Sequence, residues 1–386
     1  MLRVVIAGLA VVVLTLNHFC FADDSAGILH SAVVFEHDAK EHYDYRIPAL
    51  IVAKDGTLLA FCERRVGLHD HGQNDIVLRR SSDGGETWDV LQLIADEGGD
   101  SLNDPCVVVL DTGRILLRYT RFPKGVHARK SRITEIAEPG YDGPKNVRIY
   151  LTHSDDNGVT WAEPVDVTRQ MRRPDAIAVG SPGIGLQLTR GPHAGRVLLP
   201  TYQVYRVGDE DRYKHNSVSI SDDGGETWRH SEEIAEPEEG HSGDESQMVE
   251  LADGSVLLTA RDEPEGEYRL LSVSQDGGET WSVHRFAKDL MTPPCMSSIL
   301  RVSFPSEDKP GVLWHALPHT VDARENGTIM VSRDEGRTWK VDRVIEPDGF
   351  AYSCLTMLPS GDVGCLYETD EYSKIVFVRL SSPRSR

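Results

Sequence analysis

One eight-residue motif, Ser-x-Asp-x-Gly-x-Thr-Trp, occurs five times along this chain of 386 residues, at 81–88, 154–161, 221–228, 274–281 and 332–339. Its residue types suit a tight β-turn. The Asp accepts hydrogen bonds from loop amides, the Gly supplies a positive φ, and the Trp packs the turn down. Five of the six tryptophans lie in these copies. The motif therefore reads as structural, with a calcium site as the alternative. A second repeat is a glycine turn followed by a β-run, at Gly56, Gly113, Gly195, Gly254, Gly311 and Gly361. Apolar strands precede most of these turns, as at 106–110 and 248–251, so each reads as a hairpin.

Six hairpins and five turn motifs predict a closed ring. Each of the first five hairpins is followed by its motif, and the last is not. A propeller blade needs four antiparallel strands. Two would flank the glycine turn and two the motif. The serines at 81 and 332 set a mean repeat of about 63 residues. The sixth unit runs out of chain after 375–380, so its outer strand is expected from the N-terminus, around 32–35. That sharing closes the ring and removes exposed edges. A solenoid would need end caps, which the sequence does not offer. The expected fold is all-β: a six-bladed β-propeller of four-stranded antiparallel blades, one domain over 23–386.

Residues 1–22 read separately. Arg3, an apolar run over 4–16 and the segment Cys20-Phe21-Ala22 make a secretory signal peptide. Its apolar core is too short to span a bilayer comfortably. The expectation is a secreted, periplasmic or cell-envelope protein with no membrane span in the mature chain. Beyond the leader, Cys62, Cys106, Cys295, Cys354 and Cys365 are odd in number and widely spaced. They suggest buried free thiols, with one bridge possible, and neither a disulfide framework nor a metal site.

The net charge of −20 opposes nucleic-acid binding and is awkward for any acidic ligand. An anionic substrate would need a local concentration of arginine, and strand counting supplies one. Arg46 lies 10 residues before Gly56, Glu245 lies 9 before Gly254, and Tyr352 lies 9 before Gly361. All three fall at the start of an innermost strand. Arg261 and Glu63 each lie 7 residues after a glycine turn, where the second strand ends. Arg65, Asp70 and Arg324 follow in loops at the same end. These residues gather at one axial mouth, and ligands favour concave mouths. Each also has a plainer use. Arg46 could pair with Asp44, Arg261 with Asp262 or Glu263, and Arg324 with Asp322. Tyr352 could be a core tyrosine, and Glu245 one more charge of the acidic run 236–245. Asp70 sits in His69-Asp70-His71, a solvated loop or a metal corner, but no further ligand spacing supports a metal.

Tyr45-Arg46-Ile47-Pro48 resembles the signature that opens sialidase domains, and the five motifs resemble their Asp boxes. The segment Ala60-Phe61-Cys62-Glu63-Arg64-Arg65, with Asp70 and Ile76-Val77-Leu78-Arg79-Arg80 after it, is similar to the stretch bearing the sialidase acid/base. Glu245-Ser246-Gln247, Thr259-Ala260-Arg261, Arg324-Glu325-Asn326-Gly327-Thr328 and Tyr352-Ser353 follow in family order. The resemblance is to neuraminidases of the glycoside hydrolase family 33 type. It implies that Arg46, Arg261 and Arg324 bind the sialic acid carboxylate, which guanidiniums suit. It implies a neutral Tyr352 as nucleophile, a known exception among glycosidases, with Glu245 taking its proton. Asp70 would protonate the leaving oxygen and later activate water. Glu63 and Arg65 would hold substrate or orient the triad.

The implied activity is exo-sialidase hydrolysis of sialylated glycoproteins, glycolipids and oligosaccharides, with retention, no cofactor or metal, and a monomeric protein. Two alternatives stay open: a hydrolase for a related nonulosonic acid, and a non-catalytic propeller that binds glycans or proteins. A different carbohydrate enzyme or a trans-sialidase are further variants. The basic segment 121–148 has no clear register and is expected to cover the mouth or to choose the aglycone. Asn326 heads a formal glycosylation sequon, and its place at the mouth predicts that it is unused.

Overall fold

The computed structural model describes residues 27–70, 72–207, 211–263 and 266–382; the predicted leader lies outside them. Tyr43–Val52, Leu58–Val66, Asn74–Ser81 and Gln92–Ala95 pair antiparallel in chain order. The same order recurs in Ser101–Val109, Ile115–Phe122, Arg148–Ser154 and Val165–Asp166. It returns in Ala178–Gly180, Val197–Val207, Asp211–Ser221 and Arg229–His230. Next come Ser242–Glu250, Val256–Glu263, Tyr268–Ser274 and Arg285–Met291. Ser298–Ser303, Val312–Pro318, Glu325–Ser332 and Lys340–Gly349 follow. Ser353–Met357, Val363–Thr369 and Lys374–Leu380 come last, and Ile28–Glu36 pairs antiparallel with Lys374–Leu380. The first two groups share one nine-stranded sheet through a bridge between Asn74 and Ser101. The molecule is an all-β propeller. No helix among the described residues is long and apolar enough to cross a membrane.

The recurrent motif is a self-contained turn. In the first copy Asp83 accepts from the Thr87 amide at 2.9 Å and the Thr87 hydroxyl at 2.5 Å, and from the Ser81 hydroxyl at 2.8 Å. The other four copies repeat this bonding. Gly85 has φ 94°, and a Cβ there would enter the Phe377 ring. Gly336, φ 78°, meets Leu257 in the same way. Each such glycine is required twice, for its backbone and for the close approach of the neighbouring sheet. The hairpin at Gly311 forms, Ser298–Ser303 pairing with Val312–Pro318, but its glycine differs from the others. Its φ is not positive, unlike that of Gly56, Gly113, Gly195, Gly254 and Gly361.

The core is divided between sheets. Phe61 and Leu78 of the first group pack with Leu102 and Leu117 of the second, and Val108 and Leu116 pack with Val197 and Leu199 of the third. Phe35 and Phe377 of the last group pack with Leu50 and Leu58 of the first. Innermost strands contact one another round the axis: Tyr43–Val52 touches both Ser101–Val109 and Ser353–Met357, and Ser298–Ser303 touches Ser242–Glu250 and Ser353–Met357. All five cysteines among the described residues are buried free thiols.

Candidate active site

The innermost strands do not enter the axis as regular strands. Three have register breaks at equivalent places, between Arg46 and Ala49, Asn103 and Cys106, and Gly243 and Ser246. An extra residue in one strand re-aims side chains. Ile47 at φ 63° and Asp104 at φ 56° lie in two of the breaks, and Asp244 and Glu245 lie in the third. Pro48 and Pro105 fit there because proline cannot donate to the ladder. The breaks open a cavity of about 260 Å³ at one end of the axis, of a size for one small ligand. Arg46, Arg65, Asp70, Glu245, Arg261, Arg324 and Tyr352 all line it. Strand counting therefore brought seven of its eight candidates to one wall. Glu63 lies behind that wall and is not on it. It is wholly buried, and its oxygens accept from Arg65 Nε at 2.7 Å and the Asp104 amide at 2.7 Å. A carboxylate so occupied orients Arg65.

The three guanidiniums are held differently. Arg46 donates to both oxygens of Glu368, at 2.8 and 3.1 Å, and Asp44 instead bonds His37 at 2.7 Å. Burial works against the charge on Arg46, and the Glu368 carboxylate outweighs it and raises the pKa. Glu368 also accepts from the Ile47 amide at 2.7 Å and the Tyr352 amide at 3.3 Å. This one buried acid therefore fixes the arginine and the tyrosine together. Arg261 Nη1 donates to Glu245 at 3.0 Å and to the Tyr352 hydroxyl at 3.1 Å, and its Nη2 bonds Glu263. The plainer Glu263 pairing exists beside the site contacts. Arg324 does not pair with Asp322. It donates to the Pro294 carbonyl at 2.9 Å and the Tyr372 hydroxyl at 3.4 Å, and its Cζ lies 5.2 Å from the Tyr352 ring centre. Arg324 forms no ion pair among the described residues, so its positive charge is left for a ligand.

Tyr352 donates its phenolic proton to Glu245 Oε1 at 2.5 Å. Burial and then the Glu245 charge hold the phenol well above its ordinary pKa. Burial also raises the Glu245 carboxyl, against the opposing pull of Arg261. The phenol is thus held neutral, with its proton directed at Glu245. Asp70 sits on the loop between Leu58–Val66 and Asn74–Ser81, with its side chain 63% exposed. Its carbonyl accepts from Asn74, Ser101 and Asn103 at 3.2, 3.0 and 3.0 Å, so the loop is pinned. Burial pushes its carboxyl up, but Arg65, 2.8 Å away, with Arg46 and His127, holds it down at about 2.

Several lining residues went unread in the sequence. Asp104 lies 9 residues before Gly113, the offset that located Glu245 and Tyr352, and Pro105 mirrors Pro48. Burial and the charges of Glu63 and Glu245 push its carboxyl up to about 8. Phe122, Ala178, Val179 and Val204 form an apolar wall with Tyr202; no motif marks them. The segment of unclear register supplies His127, Ala128 and Arg129 to the lining. Asn326 Nδ2 donates to the His319 carbonyl at 3.1 Å, which occupies the atom a glycan would need.

Comparison with known proteins gives the family of the chain. Residues 56–365 match the model of the BNR repeat-like domain family. The chain is 36% identical over 341 residues to a sialidase of Micromonospora viridifaciens, covering 84% of this chain and 50% of that protein. It is 29% identical over 347 residues to a sialidase of Bacteroides fragilis, covering 84% of this chain and 60% of that one. The chain thus spans half to three fifths of these relatives. Among solved structures, the Hadza microbial sialidase Hz136 superposes with a TM-score of 0.75 at 28% identity, covering 90% of this chain and 67% of its own.

Proposed function

We propose that this chain, which belongs to the BNR repeat-like domain family as a propeller of the sialidase type, is a retaining exo-sialidase. The observation that carries the reading is the 2.5 Å bond from Tyr352 to Glu245 beneath three convergent guanidiniums. A propeller that only binds does not need this bond placed in the same cavity as Asp70 and the three arginines. Arg324, free of ion pairs among the described residues, would take the substrate carboxylate with Arg46 and Arg261. The apolar wall of Phe122, Val179 and Val204 suits an acyl substituent and favours an N-acylated sialic acid over a nonulosonic acid lacking that group.

In the first step the Tyr352 oxygen attacks the anomeric carbon while Glu245 takes the phenolic proton. The substrate's carboxylate would repel an anionic nucleophile, which the neutral phenol avoids. The glycosidic C–O bond breaks and Asp70 gives its proton to the leaving oxygen. In the second step Asp70 takes a proton from water, the water oxygen attacks the same carbon, the bond from that carbon to the Tyr352 oxygen breaks, and Glu245 returns its proton to the phenolate so released. Two displacements retain configuration. With its carboxyl near 2, Asp70 is ionised at neutral pH in the free protein. Substrate must raise it, because the substrate's own carboxylate brings negative charge close by.

The ring we infer has six blades. Its support is the six successive strand groups, and the packing of Gly85 and Leu50 against Phe377 from the chain's other end. The N-terminal strand Ile28–Glu36 would complete the last blade. We further propose export through the leader 1–22, to the exterior or the cell envelope, and action as a monomer on sialylated glycans.

The test is release of sialic acid from a fluorogenic N-acetylneuraminic acid glycoside. Tyr352→Phe is expected to lose at least about 10²-fold in kcat, in the range one nucleophile or acid/base group contributes. Asp70→Ala should lose less on this good leaving group than on sialyllactose. A folded wild type that releases nothing would sink the reading.

A further inference from the structure

We propose that the loop 122–147 forms an aglycone subsite for a negatively charged sugar, so that the terminal sialic acid is best cleaved from a neighbour that itself carries a carboxylate or sulfate. This deepens the sialidase reading and rests on it. The position of the loop follows from Asp70, which marks the side on which the leaving group departs. His127 lines the same cavity and is near enough to help depress the Asp70 carboxyl. Two residues further, Arg129 lies 3.7 Å from Glu263, which pairs with Arg261 on another part of the wall. The chain from His127 to Arg129 therefore spans the mouth between the acid and the arginines. A second sugar attached to a ligand in this cavity has to pass it.

The charge of this stretch is opposite to that of the molecule. Residues 121–132 hold Arg121, Lys124, Arg129, Lys130 and Arg132 and no acid, in a chain of net charge −20. Arg121 is committed to Asp100 at 2.7 Å. The loop's own later acids are paired too, Glu135 and Glu138 with Lys145 at 2.6 and 3.4 Å and Asp142 with Arg169 at 2.8 Å, so they do not cancel the tip. Arg129 is different. Its side chain is 60% exposed, and Glu263, its long-range partner, is already shared with Arg261 and Lys214. Arg132, three residues further along the chain, is exposed too. A guanidinium with a distant, shared counter-ion gains most from a new anion, and it matches carboxylate and sulfate oxygens equally well.

The tip is also built, not loose. The Arg129 amide donates to His127 Nδ1 at 3.2 Å, and its carbonyl accepts from the Thr134 hydroxyl at 3.0 Å. Val126–His127 and Glu135–Ile136 pair as a short parallel ladder below it. The backbone that carries Arg129 is therefore fixed before a ligand arrives, which reduces the ordering cost of binding.

The experiment uses matched pairs, so that linkage does not confuse charge. One pair is an α2,8-linked sialic acid dimer and the same dimer with its inner carboxylate reduced to the alcohol. The other is a sialyl-N-acetyllactosamine with and without a sulfate on its neutral sugars. In each pair the charged member is expected to show kcat/KM roughly threefold to tenfold higher at low salt, as one or two exposed ion pairs allow. The advantage should shrink at about 0.5 M salt. It should fall to one or below when Arg129→Glu and Arg132→Glu are combined. The ratio is internal to one protein preparation, so partial misfolding of the variant does not alter it. An advantage in only one pair identifies whether carboxylate or sulfate is the ligand. A ratio of one in the wild type, or an advantage that survives charge reversal, overturns the subsite and leaves the hydrolase reading standing. Failure to cut every glycoside, the fluorogenic one included, overturns both.

Discussion

Asp104 shows how a single side chain couples the site to stability. Burial, with Glu63 and Glu245 nearby, pushes its carboxyl up to about 8, against about 3.9 for an unfolded aspartate. Between those values the folded chain holds a proton that the unfolded chain lacks. This group's contribution is therefore fully present below the unfolded pKa and is lost as pH rises through the folded one. Asp104→Asn carries no charge and keeps an oxygen for the Tyr202 hydroxyl, which lies 3.4 Å from Asp104 Oδ2. The expected outcome is a Tm that falls less steeply from about pH 5 to about pH 9 in the variant, which should be the more stable protein at the upper end. Parallel Tm curves would contradict the assignment. The same residue shows what the sequence carried. Arg46, Glu245, Arg261 and Tyr352 were legible because each sits at a fixed offset from a glycine turn and belongs to a recognisable string. Asp104 has the offset without the string. Glu368 has neither. Its importance lies in bonds to Arg46, 322 residues away in the chain, and only the closed fold brings the two together.

At the scale of elements, the site depends on backbone that local preference disfavours. Beyond the register breaks, the turn Asp370–Tyr372 holds three successive non-glycine residues at φ 52, 52 and 69°. Each left-handed position costs about 1–2 kcal/mol for an L-residue. The turn places the Tyr372 ring 4.2 Å from the Arg46 Cζ and its hydroxyl 3.4 Å from Arg324 Nη1. Strain concentrated beside two of the three arginines proposed to bind the substrate carboxylate marks a positioning device. Tyr372→Phe keeps the ring over Arg46 and removes the hydroxyl. Michaelis constants should rise roughly threefold, the scale of one modest hydrogen bond, with kcat nearly unchanged. Glu371→Gly relieves the middle of the turn and should stabilise the protein by about 1 kcal/mol, read as a denaturation midpoint. A rise in kcat alone for Tyr372→Phe, or destabilisation by Glu371→Gly, would remove the argument. Such a turn was not legible, because Asp370-Glu371 reads as an ordinary exposed acidic pair.

At the scale of the whole molecule, repetition made the architecture readable, while the proposed closure of the ring rests on one strand. The five motif copies fixed the spacing of the sheets, and each motif glycine that meets the sheet before it sets their packing distance. The expected outer strand near 32–35 is longer than the sequence suggested, Ile28–Glu36, because residues on both sides of the apolar centre also pair with Lys374–Leu380. Val34 and Phe35 are 3% and 2% exposed and join the cluster shared by the last and first groups. Burying two such side chains is worth about 1.5–3 kcal/mol each, and the strand also covers the edge presented by Lys374–Leu380. A ring closed by its two ends should lose both contributions at once when residues up to 36 are removed after the leader. The truncated chain is expected to melt at least about 5 °C lower and to aggregate through the uncovered edge. Adding the free peptide 27–37 in excess should recover part of the lost Tm if it re-forms the antiparallel pairing. A truncated chain that melts with the intact one would mean that the ring is held by its other sheet contacts, and that the N-terminal strand merely lies against the last sheet.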